Sequence, residues 1–191
     1  MAHKEIRLSS FENRSKEDMI LEGYAAVFNQ PTVLYTVGDV EYKEVLDRNA
    51  FANSSFSDCC LKYNHQDGVP ILARTRGGSL ELAVDDYGLF FRAKLFNTQV
   101  ARDVFTLVKE GGLDKCSFAF SVSDVTYDRA TNTRTIKGIK KLWDCAIVDV
   151  PAYDQTTVSA RNFFDAQIEL EKQERKRQKQ RKKRLILLTE L

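Results

Sequence analysis

Imidazole chemistry has one place to happen in this chain. Of its two histidines, His3 falls among the first few residues, where chains are usually poorly ordered unless tied down. His65 falls in Leu61-Lys62-Tyr63-Asn64-His65-Gln66-Asp67, between an expected strand and a turn. A zinc site needing two or more histidines is therefore excluded as an expectation. What a single imidazole can do is act as general base for a nucleophile, with a carboxylate to orient it, provided the fold brings the three together.

Ser117 is the candidate nucleophile. From residue 115 to 127 a β pattern alternates Cys116, Phe118, Phe120 and Val122 on one face with Ser117, Ala119, Ser121 and Ser123 on the other. A substrate backbone can approach a face of small side chains, whereas large ones would block it. The residues by themselves leave open a Ser117 that only packs among small neighbours and a His65 that only ends a strand half-buried. Cys116 alternates to the opposite face, so one strand cannot present both Cys116 and Ser117 to the same imidazole. Asp144, within Leu142-Trp143-Asp144-Cys145-Ala146-Ile147-Val148, would be costly to bury without a partner, and Asp149 raises the same question from the other face.

The elements that must position these residues are mostly strands. The patterns predict strands at 5–8, 20–28 and 41–46, a loop between 29 and 40, and a short helix from Asp47 to about Asn53 with Ala50 and Phe51 inward. A strand over 60–65 precedes the turn at Gln66-Asp67-Gly68. Residues 79–84 and 89–95 flank Asp85-Asp86-Tyr87-Gly88 as a hairpin. The clearest helix spans 98–110, with Val100, Val104, Leu107 and Val108 at helical spacing and Gly111-Gly112 as its stop. Two last strands, 133–137 and 141–150, end at Pro151. This pattern implies a β-rich α+β fold, a mostly antiparallel barrel or sandwich with a few surrounding helices.

Composition limits the function classes. The 191 residues suit one domain, expected over 1–162, followed by a charged, basic C-terminal tail over 163–191, helical or disordered. Residues 168–191 hold nine Lys/Arg against four Glu, a net +5, so the total of +2 leaves residues 1–167 at −3. The tail has the composition of a solvated helix or linker, and equally of a segment contacting nucleic-acid phosphates or docking in a protein interior. No apolar run approaches the roughly 18 residues of a membrane span, and the start lacks the apolar core of a signal peptide, so an intracellular protein without membrane contact is expected. The four cysteines, Cys59, Cys60, Cys116 and Cys145, form no Cys-x-x-Cys pair and read as reduced and mostly buried. No cofactor or metal motif is visible.

Glu22-Gly23-Tyr24-Ala25-Ala26-Val27-Phe28-Asn29, Lys62-Tyr63-Asn64-His65, the Cys116-Ser117-Phe118-Ala119-Phe120 strand and a closing Val150-Pro151-Ala152 follow one another in order. In that order and spacing the chain resembles the tailed-phage prohead (capsid maturation) protease family over roughly residues 18–160. The resemblance implies a serine endopeptidase with a fold similar to herpesvirus assembly proteases. It also implies Ser117 as nucleophile, His65 as general base and Asp144 as the third member, with Asp149 as the second candidate because the family more often carries Glu at that place. Its substrates would be capsid and scaffold polypeptides and the chain itself, inside the immature prohead in the host cytoplasm, with self-association possible.

Two other classes compete with this one. One is a catalytically silent capsid-assembly or scaffold-binding factor with the same fold. The other is a basic nucleic-acid-binding β-barrel, disfavoured by the net acidic core region and by the lack of aromatics interleaved with Lys/Arg.

Overall fold

The computed structural model describes residues 5–12, 19–149 and 153–189. Its strands are β1 (Glu5–Glu12), β2 (Ile20–Val27), β3 (Thr32–Val37), β4 (Val40–Leu46), β5 (Cys60–Tyr63), β6 (Ala73–Arg74), β7 (Leu80–Val84), β8 (Gly88–Lys94), β9 (Lys115–Asp128) and β10 (Thr133–Val148), and its helices are α1 (Gln99–Lys109) and α2 (Tyr153–Thr189). The strands pair in the order β3-β4-β10-β9-β1-β2-β8-β7, with β5 attached to β10 and β6 to β5. Among the described residues β3 and β7 do not pair with each other, so the sheet is open where a barrel was one expectation. Most pairings are antiparallel, but β10 takes both β4 and β5 as parallel partners along one edge.

The structure departs from the sequence expectations in several places. Residues 32–37 form an edge strand rather than a loop: Thr32-Val33-Leu34-Tyr35-Thr36-Val37 is rich in the β-branched and aromatic residues that favour strands, although only Leu34 among them is buried. The expected helix at 47–53 is a series of tight turns: Ala50, Ala52 and Ser54 donate to the carbonyls of Asp47, Asn49 and Phe51 at 3.0 Å, and no i→i−4 ladder follows. Ala50 and Phe51 are nonetheless buried there. The two last strands are one, since Gly138 makes an irregularity in the β9–β10 ladder instead of a turn.

Helix α1 follows its signals closely. The Thr98 Oγ1 accepts from the Ala101 N–H at 3.2 Å, and at the other end Gly111 (φ +77°) donates to Val108 while Gly112 donates to Leu107, the two bonds of a Schellman stop. Val104 and Val108 enter the core as expected, whereas Leu107 is exposed and Ala101 takes its place. The main core gathers Leu21, Leu61, Leu89, Phe91, Phe118 and Phe120 around this helix.

Helix α2 continues through residue 162, where the domain boundary was expected. Phe164 is fully buried in a second cluster with Leu34 and Tyr42, its ring centroid 5.0 Å from that of Tyr42 and 5.4 Å from that of Tyr127. The start of the basic segment is thus packed, and its exposed lysines and arginines begin about two turns later, at Lys172. No helix among the described residues is long and apolar enough to cross a membrane.

Gly88 sits at the closest backbone approach in the fold, where a Cβ would lie 2.0 Å from the Ala26 carbonyl oxygen. Gly88→Ala therefore forces β2 and β8 apart and should lower the urea midpoint by the equivalent of about 3 kcal/mol or more. Gly77→Ala, with open space around it, should change it by less than about 0.5 kcal/mol. Equal midpoints for the two variants would refute this account of the β2–β8 contact.

Candidate active site

The site is assembled on β10, which pairs with β9 on one edge and β5 on the other. In register, Ser117 of β9 lies opposite Ala146 of β10, which lies opposite Lys62 of β5; the next rung joins Ala119, Asp144 and Cys60. Residues paired across a sheet share a face, so Ser117, Asp144 and Lys62 project to the same side. Asp144 is there because of a bulge. Between Leu142, paired with Phe120, and Asp144, paired with Ala119, Trp143 is an extra residue. Were Trp143 paired in ordinary alternation, Asp144 would share the core face of Leu142; because Trp143 is bulged out, Asp144 takes the opposite face. The Trp143 indole N–H donates to the Ser121 hydroxyl at 2.7 Å.

His65 reaches this face through a tight turn after β5. The Gln66 N–H donates to the Tyr63 carbonyl at 3.0 Å, and both central residues have positive φ, +50° for Asn64 and +55° for His65. That pair of angles is the signature of a type I′ turn, in which Asn is common and His is not. The strain is held by neighbours. The Asn64 N–H donates to the Ile147 carbonyl at 2.9 Å, the Asp149 N–H donates to Asn64 Oδ1 at 3.1 Å, and the Tyr63 hydroxyl donates to Asp149 Oδ2 at 3.2 Å.

The imidazole lies between the other two groups. His65 Nε2 is 2.8 Å from Ser117 Oγ, and Nδ1 is hydrogen-bonded to Asp144 Oδ1. Because a carboxylate accepts at Nδ1, the tautomer consistent with these contacts carries its proton on Nδ1 and accepts the Ser117 O–H at Nε2. The His65 and Asp144 side chains are 9% and 3% exposed, and Ser117 is fully buried. Asp149, the second candidate acid, is engaged with Tyr63 and Asn64, holding the turn rather than the imidazole.

The cysteines have different surroundings. All four are free thiols, with Cys59, Cys116 and Cys145 buried. Burial pushes the Cys116 thiol up to about 12, which makes it a poor thiolate source, and its strand turns it away from His65. A hydrogen bond with Cys59, then burial, raise Cys145 well above the ordinary thiol value. Among the described residues no group of three or more His, Cys, Asp or Glu side chains is placed to hold a metal ion. An open cleft of about 540 Å³ between the β3–β4 and β9–β10 turns, lined by Gly38, Asp39 and Asn132 among others, shares no residue with the triad.

Residues 4–172 match the family described as caudovirus prohead serine protease, and the chain belongs to that family. The fold is similar to that of the bacteriophage T4 capsid assembly protease gp21, with a TM-score of 0.51, 10% sequence identity, and coverage of 78% of this chain and 98% of that one. No curated protein matches the chain.

Asn64 supplies both a tolerated positive φ and the acceptor for the Asp149 N–H. Asn64→Ala should destabilise the fold by about 1–2 kcal/mol in urea denaturation, from the left-handed penalty and the lost acceptor. Asn64→Gly, which removes the acceptor but relieves the angle, should cost about half as much. An Ala variant as stable as the Gly variant would sink the strained-turn reading.

Proposed function

We propose that this member of the prohead protease family is a serine endopeptidase that cleaves scaffold and capsid polypeptides, and itself, inside the immature phage shell. The observation that carries the reading is the linear contact of Asp144, His65 and Ser117, with imidazole nitrogens bonded to a carboxylate on one side and to a hydroxyl at 2.8 Å on the other. Three residue types remote in sequence meet in the order that nucleophilic catalysis requires.

In this mechanism His65 Nε2 takes the Ser117 proton as Oγ attacks the scissile carbonyl carbon. The resulting imidazolium is stabilised by Asp144 and then donates its proton to the leaving amine. Water, deprotonated by the same imidazole, hydrolyses the acyl-enzyme and returns the proton to Ser117. General-base assistance of this kind contributes on the order of 10²- to 10⁴-fold to the rate. The order of the triad in the chain, His then Ser then Asp, is immaterial because roles follow geometry. The exposed Lys/Arg-rich stretch of α2 from Lys172 to Lys182 suits salt-sensitive contact with phosphates or docking within the scaffold.

The test compares wild type with Ser117→Ala, His65→Gln and Asp144→Asn, following chain mass over time and labelling by a fluorophosphonate probe. Wild type should shorten and label; Ser117→Ala should do neither. Asp144→Asn should lower kcat on a scaffold peptide by roughly 10³- to 10⁴-fold with little change in KM. A folded wild type that neither labels nor cleaves itself, scaffold or capsid protein would replace the enzyme by the catalytically silent assembly factor.

A further inference from the structure

The catalytic constellation has a fourth charged neighbour. Lys62, on the same rung as Ser117, places Nζ 3.6 Å from Asp144 Oδ2, the oxygen that His65 does not use. The same ammonium is hydrogen-bonded to Asp67 beyond the turn. The Lys62 side chain is only 14% exposed and Asp144 only 3%, whereas Asp67 is 89% exposed. One buried carboxylate is therefore shared by an imidazole and an ammonium, and one surface carboxylate holds the far side of that ammonium.

We propose that Lys62 is a positioning residue of the protease site: it keeps Asp144 ionised with Oδ1 turned to His65 and sets the pH at which the Asp144–His65 pair takes up a proton. This rests on the triad reading above. Burying Asp144 beside a neutral imidazole would leave its charge poorly compensated, and a cation at 3.6 Å supplies the compensation. An ammonium on the same carboxylate also opposes arrival of a second positive charge on the ring, so proton uptake by the pair is displaced to lower pH. Burial by itself would pull the Lys62 ammonium down, but the hydrogen bond it donates to Asp67 and the charges of Asp144 and Asp67 outweigh it and hold it above the ordinary lysine value. It stays a cation throughout the working range.

Among the described residues the titratable groups on this side are Asp144 from β10, Lys62 and Cys60 from β5, Asp67 from the loop after the His65 turn, and Lys115 from β9, two residues before Ser117 and paired with Asp114; Tyr63 and Asp149 lie together at the side of the His65 turn. Burial raises the Cys60 thiol, so it stays neutral over the pH range concerned and leaves Lys62 as the cation that acts on the pair.

The measurement is the pH titration of the His65 ring proton by NMR in the Ser117→Ala background, which cannot cleave itself, with the resonance assigned by His65→Gln. In the full chain with Lys62→Met, the midpoint should rise by about one pH unit relative to Ser117→Ala alone. Lys62→Arg, which restores a cation, should bring it back most of the way. Asp67→Asn, at an exposed position that leaves the fold intact, frees Lys62 from its outer partner and should lower the midpoint; this arm stands if Lys62→Met fails to fold. A midpoint within about 0.2 unit of the parent in both Lys62→Met and Asp67→Asn, or in Asp67→Asn where the former does not fold, overturns the proposal. The readout needs no catalysis, so it fails separately from the protease reading, which falls if wild type does not label with fluorophosphonate. In active chains, kcat for Lys62→Met should drop about tenfold with KM within twofold, and the acidic limb of the rate profile should move with the NMR midpoint.

Discussion

Strand β10 is the constraint on which the rest of the proposed site depends, because among the described residues it pairs both with β9, which carries Ser117, and with β5, which leads to His65. Its antiparallel pairing to β9 fixes where Ser117 points, and its parallel pairing to β5 fixes where the chain leaves the sheet to make the His65 turn. A slip of one residue on either edge would send the side chains of that strand to the wrong face. The bulge at Trp143 is the single deviation that this ladder needs at the site, since it converts a core-facing position into one that meets an imidazole. The many apolar side chains on the opposite face, Cys116, Phe118, Phe120, Cys145 and Ile147, hold the register by burial. Catalytic geometry is thus a by-product of a hydrophobic face that allows one alignment.

On top of that alignment sits a buried charge problem. Asp144 is almost without solvent, and removing one partner from a buried ion pair typically costs about 3–5 kcal/mol. The His65 turn adds its own cost, as two consecutive non-glycine residues in the left-handed region are each disfavoured by roughly 1–2 kcal/mol. Both costs fall on the same few residues, and both are met locally: the turn by its bonds to Ile147 and Asp149, the carboxylate by His65 and Lys62. Strain and desolvation concentrated at one place, with the surrounding sheet strongly over-determined, is the arrangement expected of a site built for reaction rather than for stability.

The fold was legible where a local signal coincided with a tertiary one. Helix α1 carried its cap, its stripe and its glycine stop in sequence, and β9 its alternation. The failures have physical reasons. The edge strand β3 is mostly wet, so its β-branched and aromatic residues do not alternate with polar ones, the 47–53 segment buries Ala50 and Phe51 through turns that mimic one helical turn of spacing, and the Gly138 irregularity resembles a break. At the site, His65 stood out by scarcity and Ser117 by its small-residue face. Asp144 was visible only as an anomaly, a carboxylate in an apolar run, because the bulge that gives it a direction depends on a pairing partner some twenty residues away. Lys62 entered only as part of the Lys62-Tyr63-Asn64-His65 motif and without a role of its own: its place comes from pairing with Ala146, and parallel registers leave no trace in either strand alone.

The same topology restricts how a substrate can arrive. At Ser117 the backbone of β9 is hydrogen-bonded to β1 on one side and β10 on the other, in register with Leu8 and Ala146. There is no free edge beside the nucleophile, so a peptide cannot reach it by adding a strand to β9 and must come over the face of the sheet. On that face Ser117 has the small Ala119 and Ala146 beside it on β9 and β10, while its register partner on β1 is Leu8. Ser117 is nevertheless fully buried in this conformation, so access requires movement. A movement of the His65 turn would break its bonds to Ile147 and Asp149 and part His65 from Ser117 and Asp144, so in the proposed mechanism that turn stays in place while the substrate enters.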